Sequence, residues 1–236
     1  MAHNSSRNAR KHTFTRSGVI ALTIASCFSF IAVTASVASA ARSTPPVVRN
    51  DPLAPVAAQA VLDLQILQGT GGRTARDAAD ATVIADARTR YTASRDAIAT
   101  EIANRLGVDP ARMMQAWAAA DYPHQTALMA AFSQLGVRYQ RNTSIAGEGF
   151  DCSGLTSYAW AVAGLSIAHQ SRSQINDAAR RTQDTAQAGD LAFFPGHVMM
   201  YLGVDRAIVH APSTGRTVEV STMNNRKTLR FGDPTS

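Results

Sequence analysis

Residues 149–155 read Gly-Phe-Asp-Cys-Ser-Gly-Leu, and an apolar run follows them. The small residues Ser153 and Gly154 and the apolar run predict a helix that begins at Cys152 and ends at Gly164. A sulfur in the first turn of a helix faces free amide groups and the positive end of the helix dipole, which both favour the reactive thiolate. The stretch therefore predicts a nucleophilic cysteine; a buried structural cysteine is the alternative.

Residues 1–40 have the three-part pattern of a secretory signal peptide. Four basic residues precede the apolar stretch Val19–Val37, and Ala38-Ser39-Ala40 supplies a small-residue cleavage site. We expect cleavage near Ala40, transient membrane contact through this segment, and a secreted or cell-envelope protein. A retained membrane anchor is an alternative, because a spanning helix needs only ~20 apolar residues. A lipid-attachment site at Cys27 is a weaker one, since apolar residues follow it. With residues 1–40 removed, Cys152 is the one cysteine that remains, so it has no intramolecular disulfide partner.

Composition sets modest bounds on function. The chain has 236 residues, 23 basic against 17 acidic, and a net charge of +6. Four of the basic residues and none of the acidic ones lie in residues 1–40, so the mature chain has 19 basic and 17 acidic residues and a net charge of +2. Such a balance predicts no nucleic-acid partner, although a slight positive charge suits contact with an anionic cell wall.

The mature chain divides into segments of different composition. A proline-rich linker is predicted for residues 41–55, and helical patterns fill residues 56–120, from about Val56 to Leu67, from about Thr74 to Leu106, and from Asp109-Pro110 onward. This helical accessory segment contains no chemical motif. We expect it either to regulate or position a catalytic domain within the same chain, or to act as a spacer.

From residue 121 to residue 236 the pattern is that of an α+β domain. A short helix over His124–Leu135 and the helix at Cys152 precede four predicted strands, at Leu191–Phe194, His197–Leu202, Ala207–His210 and Thr217–Val220. Helices followed by an antiparallel meander predict helices packed on one antiparallel sheet.

Two histidines in these strands are candidates to activate the cysteine. His197 opens one strand and His210 closes the next. If residues 203–206 form the turn, the two rings lie at about the same level, and cross-strand neighbours are only ~5 Å apart. A nucleophile, a base and a group that orients the base form a catalytic triad. The pattern therefore predicts Cys152, His197 and His210 as the catalytic residues.

A zinc site is a rival use of these three side chains. No closely spaced ligand pair such as Cys-x-x-Cys or His-x-x-x-His is present, so we expect no metal and no cofactor. Of the other histidines after residue 40, His124 is expected to be structural, and His169 has no assigned role.

Residues 124–222 resemble the catalytic domain of the NlpC/p60 family of bacterial cell-wall cysteine peptidases, which are small relatives of papain. Six stretches are similar to family motifs and come in the family's order: Leu135–Tyr139, Phe150–Leu155, Ser171–Gln174, Gly189–Phe194, His197–Gly203 and His210–Pro212. The resemblance implies a papain-like domain, preceded here by a small all-helical segment. It covers about half of the mature chain and implies nothing about residues 41–120.

The resemblance also implies a reaction. Cys152 would attack a peptide carbonyl, His197 would act as base and then as acid, and His210 would orient His197. The substrates of the family are peptidoglycan stem peptides, which it typically cleaves between D-glutamate and a diamino acid. A secreted peptidoglycan endopeptidase is therefore the leading hypothesis.

Substrate contacts are implied at three further positions. Tyr139 is expected near the oxyanion or the substrate amine, and Asp151 and Ser171 match positions that hold a free amino terminus. The sequence departs from the family pattern after Tyr139, at residues 140–144, and at His169, where the family often has an arginine. These departures affect cleft shape and substrate preference and leave the predicted triad intact.

Two alternatives to a peptidoglycan hydrolase remain open. One is a non-catalytic wall-binding or scaffold protein with the same fold, since a fold does not imply catalysis. The other is a related amidase or acyltransferase. A catalytic Cys152 is expected to have a thiol pKa below the ~8.5 of free cysteine, which thiol labelling would detect.

Overall fold

The computed structural model describes residues 51–69, 78–226 and 228–236, with the backbone alone at Ala78. The predicted signal segment, residues 1–40, lies outside the described residues, as do residues 41–50 of the predicted linker. Among the described residues, no helix combines the length and the apolar character that a membrane span requires.

Four helices form the first half of the described chain. They are α1 (Leu53–Gly69), α2 (Ala78–Leu106), α3 (Pro110–Ala119) and α4 (Tyr122–Phe132). The helix predicted from Val56 therefore begins three residues earlier, inside the segment predicted as linker. Helices α3 and α4 both begin with an Asp-capped turn, because the carboxylates of Asp109 and Asp121 accept hydrogen bonds from the first free amides.

The second half contains two helices and two sheets. The elements are β1 (Ser144–Ile145), β2 (Gly149–Phe150), α5 (Cys152–Val162), α6 (Ser171–Asp177), β3 (Ala179–Arg181), β4 (Leu191–Phe194), β5 (His197–Tyr201), β6 (Ala207–His210), β7 (Glu219–Thr222) and β8 (Arg230–Asp233). Strands β1 and β2 pair with each other, and the other six form one antiparallel sheet in the order β3-β8-β4-β5-β6-β7. The prediction of an α+β fold with helices packed on an antiparallel sheet is confirmed.

The sheet has two more strands than the predicted meander, and the last predicted strand is shifted along the sequence. Strands β3 and β8 were not predicted. The strand predicted at Thr217–Val220 is observed at Glu219–Thr222, because Thr217 instead forms an isolated antiparallel bridge with Arg138, and the Val218 amide donates to the carbonyl of Val137. The chain therefore changes partners at this edge and joins the sheet two residues later than the sequence indicates.

The core lies between the helices and one face of the sheet. Helix α5 packs against α4 and β5, and the large buried side chains of Phe132, Leu155 and Trp160 fill the space between them. Because the sheet holds β5 against α5, the start of that strand comes close to the start of the helix, where Cys152 lies.

The helical accessory segment packs on this domain and shares its core. Helix α1 lies on α4, where Gln68 donates a hydrogen bond of 2.8 Å to Thr126 Oγ1. The indole of Trp117 on α3 is fully buried and donates a 2.9 Å hydrogen bond to the carbonyl of Leu202, which follows β5. Helix α2 also contacts β7, so the segment reaches α4, the turn after β5 and one edge of the sheet.

Candidate active site

Cys152 is the first residue of α5, and Asp151 caps the helix. The Asp151 carboxylate accepts hydrogen bonds from the Gly154 amide at 2.7 Å and from the Ser153 hydroxyl at 3.1 Å. The absence of a side chain at Gly154 lets the loop at Thr143 pack against the helix, because a Cβ at residue 154 would lie 2.1 Å from the carbonyl oxygen of Thr143. The Asp-Cys-Ser-Gly sequence thus fixes the cysteine at the helix start and leaves room for the loop beside it.

The electrostatics of the thiol differ from the sequence-based expectation. Burial raises the pKa of the Cys152 thiol, and the nearby carboxylate of Asp151 raises it as well. The amide N–H groups of Val198, Ser153 and Cys152 itself favour the thiolate and lower the pKa, but by less than burial raises it. The expectation of a depressed pKa is therefore wrong, because burial at the start of the helix raises the pKa more than the free amides lower it. Because the Val198 amide acts on the thiol, the sulfur lies near the start of β5.

His197 and His210 form the pair that the sequence predicts. Nε2 of His197 lies 2.8 Å from Nδ1 of His210, and the two rings meet edge to face. The rings are 9% and 6% exposed, respectively. Burial is the main cause that lowers the pKa of His197 to about 4 and that of His210 to about 3, with the charges of Arg226 and Arg216 adding to it. Both rings are therefore neutral at neutral pH, and Nδ1 is the ring nitrogen of His197 that the contact with His210 does not use.

The register of β5 and β6 explains how these rings meet. Met200 pairs with Val209, which puts His210 opposite Met199 and two residues from His197. Side chains two residues apart lie on the same face of a strand, and diagonal neighbours remain within reach of long or aromatic side chains. The two rings are therefore diagonal neighbours and do not lie at the same level.

The three predicted substrate-binding residues surround this centre unequally. Tyr139 is half-buried; burial raises the pKa of its hydroxyl, and negative charge on Cys152 and Asp151 raises it further. Ser171 is the half-buried first residue of α6. Asp151 is 7% exposed, and its oxygens already accept hydrogen bonds within the protein.

His169 belongs to the site, although the sequence assigned it no role. Its Nε2 lies 2.9 Å from Oδ1 of Asp151, and its side chain is 35% exposed. The available signal was its position two residues before Ser171, where an arginine is common in similar sequences. Histidine and arginine can both donate a hydrogen bond to a carboxylate, so His169 keeps this ability with a shorter side chain.

A cationic cavity lies next to the histidine pair. It has a volume of about 420 Å³ and is lined by Arg172, Asn176, Phe193, Phe194, Pro195, Thr228 and Arg230. The Phe194 ring separates it from His197, with ring centroids 5.3 Å apart, and the guanidinium of Arg226 lies 4.0 Å above the same ring. The cavity therefore offers positive charge and an aromatic wall beside the proposed base.

His124 lies in a separate buried polar cluster. Its ring nitrogens contact Asp121 at 2.7 Å and Asp190 at 3.1 Å, and Asp233 lies 3.4 Å away. Of the residues that the structure describes, His124, Asp190 and Asp233 form the one group whose ligand atoms are close enough for a metal ion. Hydrogen bonds within the protein already use these atoms, and Arg181 neutralises Asp233 at 2.6 Å. The cluster ties α4 to the sheet, which agrees with the structural role expected for His124.

The comparisons with known proteins agree with this architecture. Residues 136–230 match a family model described as the NlpC/P60 family. The resemblance predicted from the six motifs is therefore confirmed for this part of the chain.

Curated relatives match about a third of the chain. The peptidoglycan endopeptidase RipA of Mycolicibacterium smegmatis is 40% identical over 77 residues, which are 31% of this chain and 15% of the relative. The gamma-D-glutamyl-L-lysine dipeptidyl-peptidase of Bacillus cereus is 35% identical over 86 residues, 33% of this chain and 26% of the relative. The chain thus matches about a quarter or less of the length of either relative, and both relatives bear peptidase names.

One solved structure similar to this chain is that of RipD from Mycobacterium tuberculosis, described as a non-catalytic NlpC/p60 domain protein adapted to peptidoglycan binding. It is 25% identical, covers 48% of this chain and 98% of that chain, and has a TM-score of 0.40.

Proposed function

We propose that this protein is a secreted peptidoglycan endopeptidase that uses Cys152, His197 and His210. The observation that carries the proposal is the 2.8 Å contact between His197 Nε2 and His210 Nδ1, next to Val198, whose amide favours the thiolate of Cys152. A half-buried cysteine alone would be structural in most proteins. A half-buried cysteine at a helix start, together with an oriented, neutral imidazole pair at the start of the packed strand, supplies the groups that acyl transfer requires.

The proposed reaction follows from the free nitrogen of His197. Nδ1 takes the thiol proton of Cys152 as the sulfur attacks the peptide carbonyl. The same nitrogen then gives the proton to the leaving amine, and a thioester with Cys152 remains. Water, deprotonated by His197, hydrolyses the thioester and regenerates the thiol. In both steps the imidazolium at His197 donates its Nε2–H to Nδ1 of His210, which holds the ring in place.

Two features support a stem peptide as substrate. Peptidoglycan stems contain free carboxylates, and the cavity beside His197 presents Arg172 and Arg230 to such groups. The name of the Bacillus cereus relative specifies a bond between gamma-D-glutamate and lysine. We propose the equivalent bond, between D-glutamate and the diamino acid, as the cleavage site.

Asp151, Ser171 and Tyr139 are proposed to hold the amino-terminal side of the stem. A substrate ammonium group would reach Oδ1 of Asp151 by displacing the partly exposed ring of His169, which occupies that oxygen in the unliganded site. The remaining hydrogen bonds of Asp151, from the amides of Asn142 and Gly154, would keep the helix cap intact.

Secretion through residues 1–40 and control of the domain by residues 56–120 complete the proposal. The helical segment contacts α4, the turn after β5 and strand β7, whose Glu219 lies beside His210. Support of the domain and of strand β7 is therefore the form of control that these contacts favour.

The test is mass spectrometry of purified peptidoglycan digested with residues 41–236, beside the Cys152→Ala variant. We expect new stem-peptide fragments with the wild type alone, and their masses identify the bond. Equal cleavage by the variant would refute the cysteine mechanism. Binding without cleavage by both proteins would favour the scaffold alternative, and turnover of a generic ester without wall cleavage would favour an acyltransferase.

A further inference from the structure

His210 has one ring nitrogen that the histidine pair uses and one that it does not. Nδ1 faces His197, whereas Nε2 is buried and has no hydrogen-bond partner among the described residues. The carboxylate oxygen Oε1 of Glu219 lies 3.7 Å from this nitrogen, slightly beyond hydrogen-bond distance. A buried polar atom without a partner is unfavourable, so a small approach of the carboxylate toward His210 would be stabilising.

Glu219 is placed for this contact by the sheet and by an arginine. His210 on β6 and Glu219 on β7 are directly paired in the register, so their side chains leave adjacent points on the same face. Arg216 holds both carboxylate oxygens: its Nε donates to Oε2 at 3.1 Å and its Nη2 donates to Oε1. The side chain of Glu219 is 23% exposed, so the carboxylate lies at the edge of the buried pair.

The tautomer of His210 decides whether His197 can act as a base. For Nδ1 of His197 to accept a proton, the hydrogen of that ring must be on Nε2 and be donated to Nδ1 of His210. His210 then carries its own hydrogen on Nε2, next to Glu219. In the opposite arrangement His210 donates from Nδ1, the hydrogen of His197 moves to Nδ1, and the base is lost.

We propose that Glu219 is a positioning residue that selects the active tautomer. Its carboxylate accepts the Nε2 hydrogen of His210 and so keeps the Nδ1 atom of that ring available to His197. Arg216 orients the carboxylate and limits how far it moves. The catalytic residues remain Cys152 and His197, and Glu219 acts on them only through His210. This inference rests on the proposed peptidase function.

The direct test is the imidazole ¹⁵N spectrum of the protein without its predicted signal segment. In the wild type we expect His210 to be protonated on Nε2. Glu219→Ala should shift His210 toward protonation on Nδ1, whereas Glu219→Gln should retain the wild-type tautomer because its amide oxygen still accepts the hydrogen bond. In peptidoglycan hydrolysis, Glu219→Ala should lower kcat by about 10- to 100-fold with KM unchanged. Glu219→Gln should lower it by less.

Glu101 supplies the matched control, since it also forms an arginine pair, with Arg105, but has no histidine beside it. Glu101→Ala should leave the tautomer and kcat unchanged. If Glu219→Ala does not fold, Glu219→Met tests the same point, because it has similar length and accepts no comparable hydrogen bond. An unchanged His210 tautomer in the variant without the carboxylate would overturn the proposal. The spectrum needs no substrate, so it separates this failure from an absence of peptidase activity.

Discussion

The charge state of His197 controls the proposed chemistry at the scale of single residues. Burial first, and then the positive charge of Arg226, lower its pKa to about 4. The raised pKa of Cys152 means that thiol and imidazole are both neutral before substrate binds. In the proposed reaction His197 would therefore act as a general base during attack, without a preformed thiolate–imidazolium pair.

This arrangement predicts a specific pH dependence. Hydrolysis should lose activity only as the pH falls toward about 4, where His197 becomes protonated and can no longer accept a proton. Arg226→Gln removes the nearby positive charge, so the pKa of His197 and the acid limb should both move to higher pH. The measurement is kcat/KM on a stem peptide as a function of pH.

Arg180 is an exposed arginine on the edge strand β3, so Arg180→Gln serves as the control and should leave the acid limb in place.

Alkylation of Cys152 by iodoacetamide should accelerate only above pH ~8.5, the pKa of free cysteine. Full alkylation rate at pH 6 would contradict the neutral resting pair.

At the scale of elements, the cap of α5 couples helix stability to the nucleophile. Asp151→Ala should lower the free energy of unfolding by about 1–2 kcal/mol, because the Gly154 amide loses its acceptor. Asp151→Asn should retain most of the stability, since an amide oxygen can accept the same bond. It should also lower the pKa of Cys152, because the negative charge that raises it is removed.

Thermal unfolding and thiol alkylation measure the two effects separately. Asp109→Ala at the exposed cap of α3 is the matched control and should cost less stability, because water can replace its hydrogen bonds to the Ala111 and Arg112 amides. Equal stability of Asp151→Ala and the wild type would show that the cap does not hold the start of α5.

At the scale of the whole molecule, the helical segment is part of the folded body. Helix α1 covers α4, and Trp117 supplies the partner of the Leu202 carbonyl. Removing residues 41–120 exposes these surfaces, so we expect residues 121–236 to unfold at a lower temperature and to hydrolyse less peptidoglycan. Trp117→Ala in the longer protein should cost about 3–5 kcal/mol of unfolding free energy.

If residues 56–120 instead regulate the domain by restraining its active site, the deletion should have the opposite result. A stable and more active 121–236 fragment would show that the helices restrain the site. Melting temperature and fragment release, measured on both proteins at equal concentration, distinguish the two outcomes.

How much of the fold the sequence predicts depends on the range of the interactions involved. Helix α5 and strands β4 and β6 are observed with the predicted starts, because their signals are local: apolar periodicity, a small-residue helix start and glycine turns. Strands β3 and β8 escaped prediction because they are short and pair with each other across about fifty residues. Nothing within either stretch indicates its partner.

The sequence by itself determined the α+β class, the family of residues 136–230 and the pairing of His197 with His210. These follow from motif order and from strands joined by one short turn. The tertiary structure alone decided the protonation state of the site and the placement of His169 and Glu219. Burial and cross-strand register set those features, and both arise only when distant segments pack together.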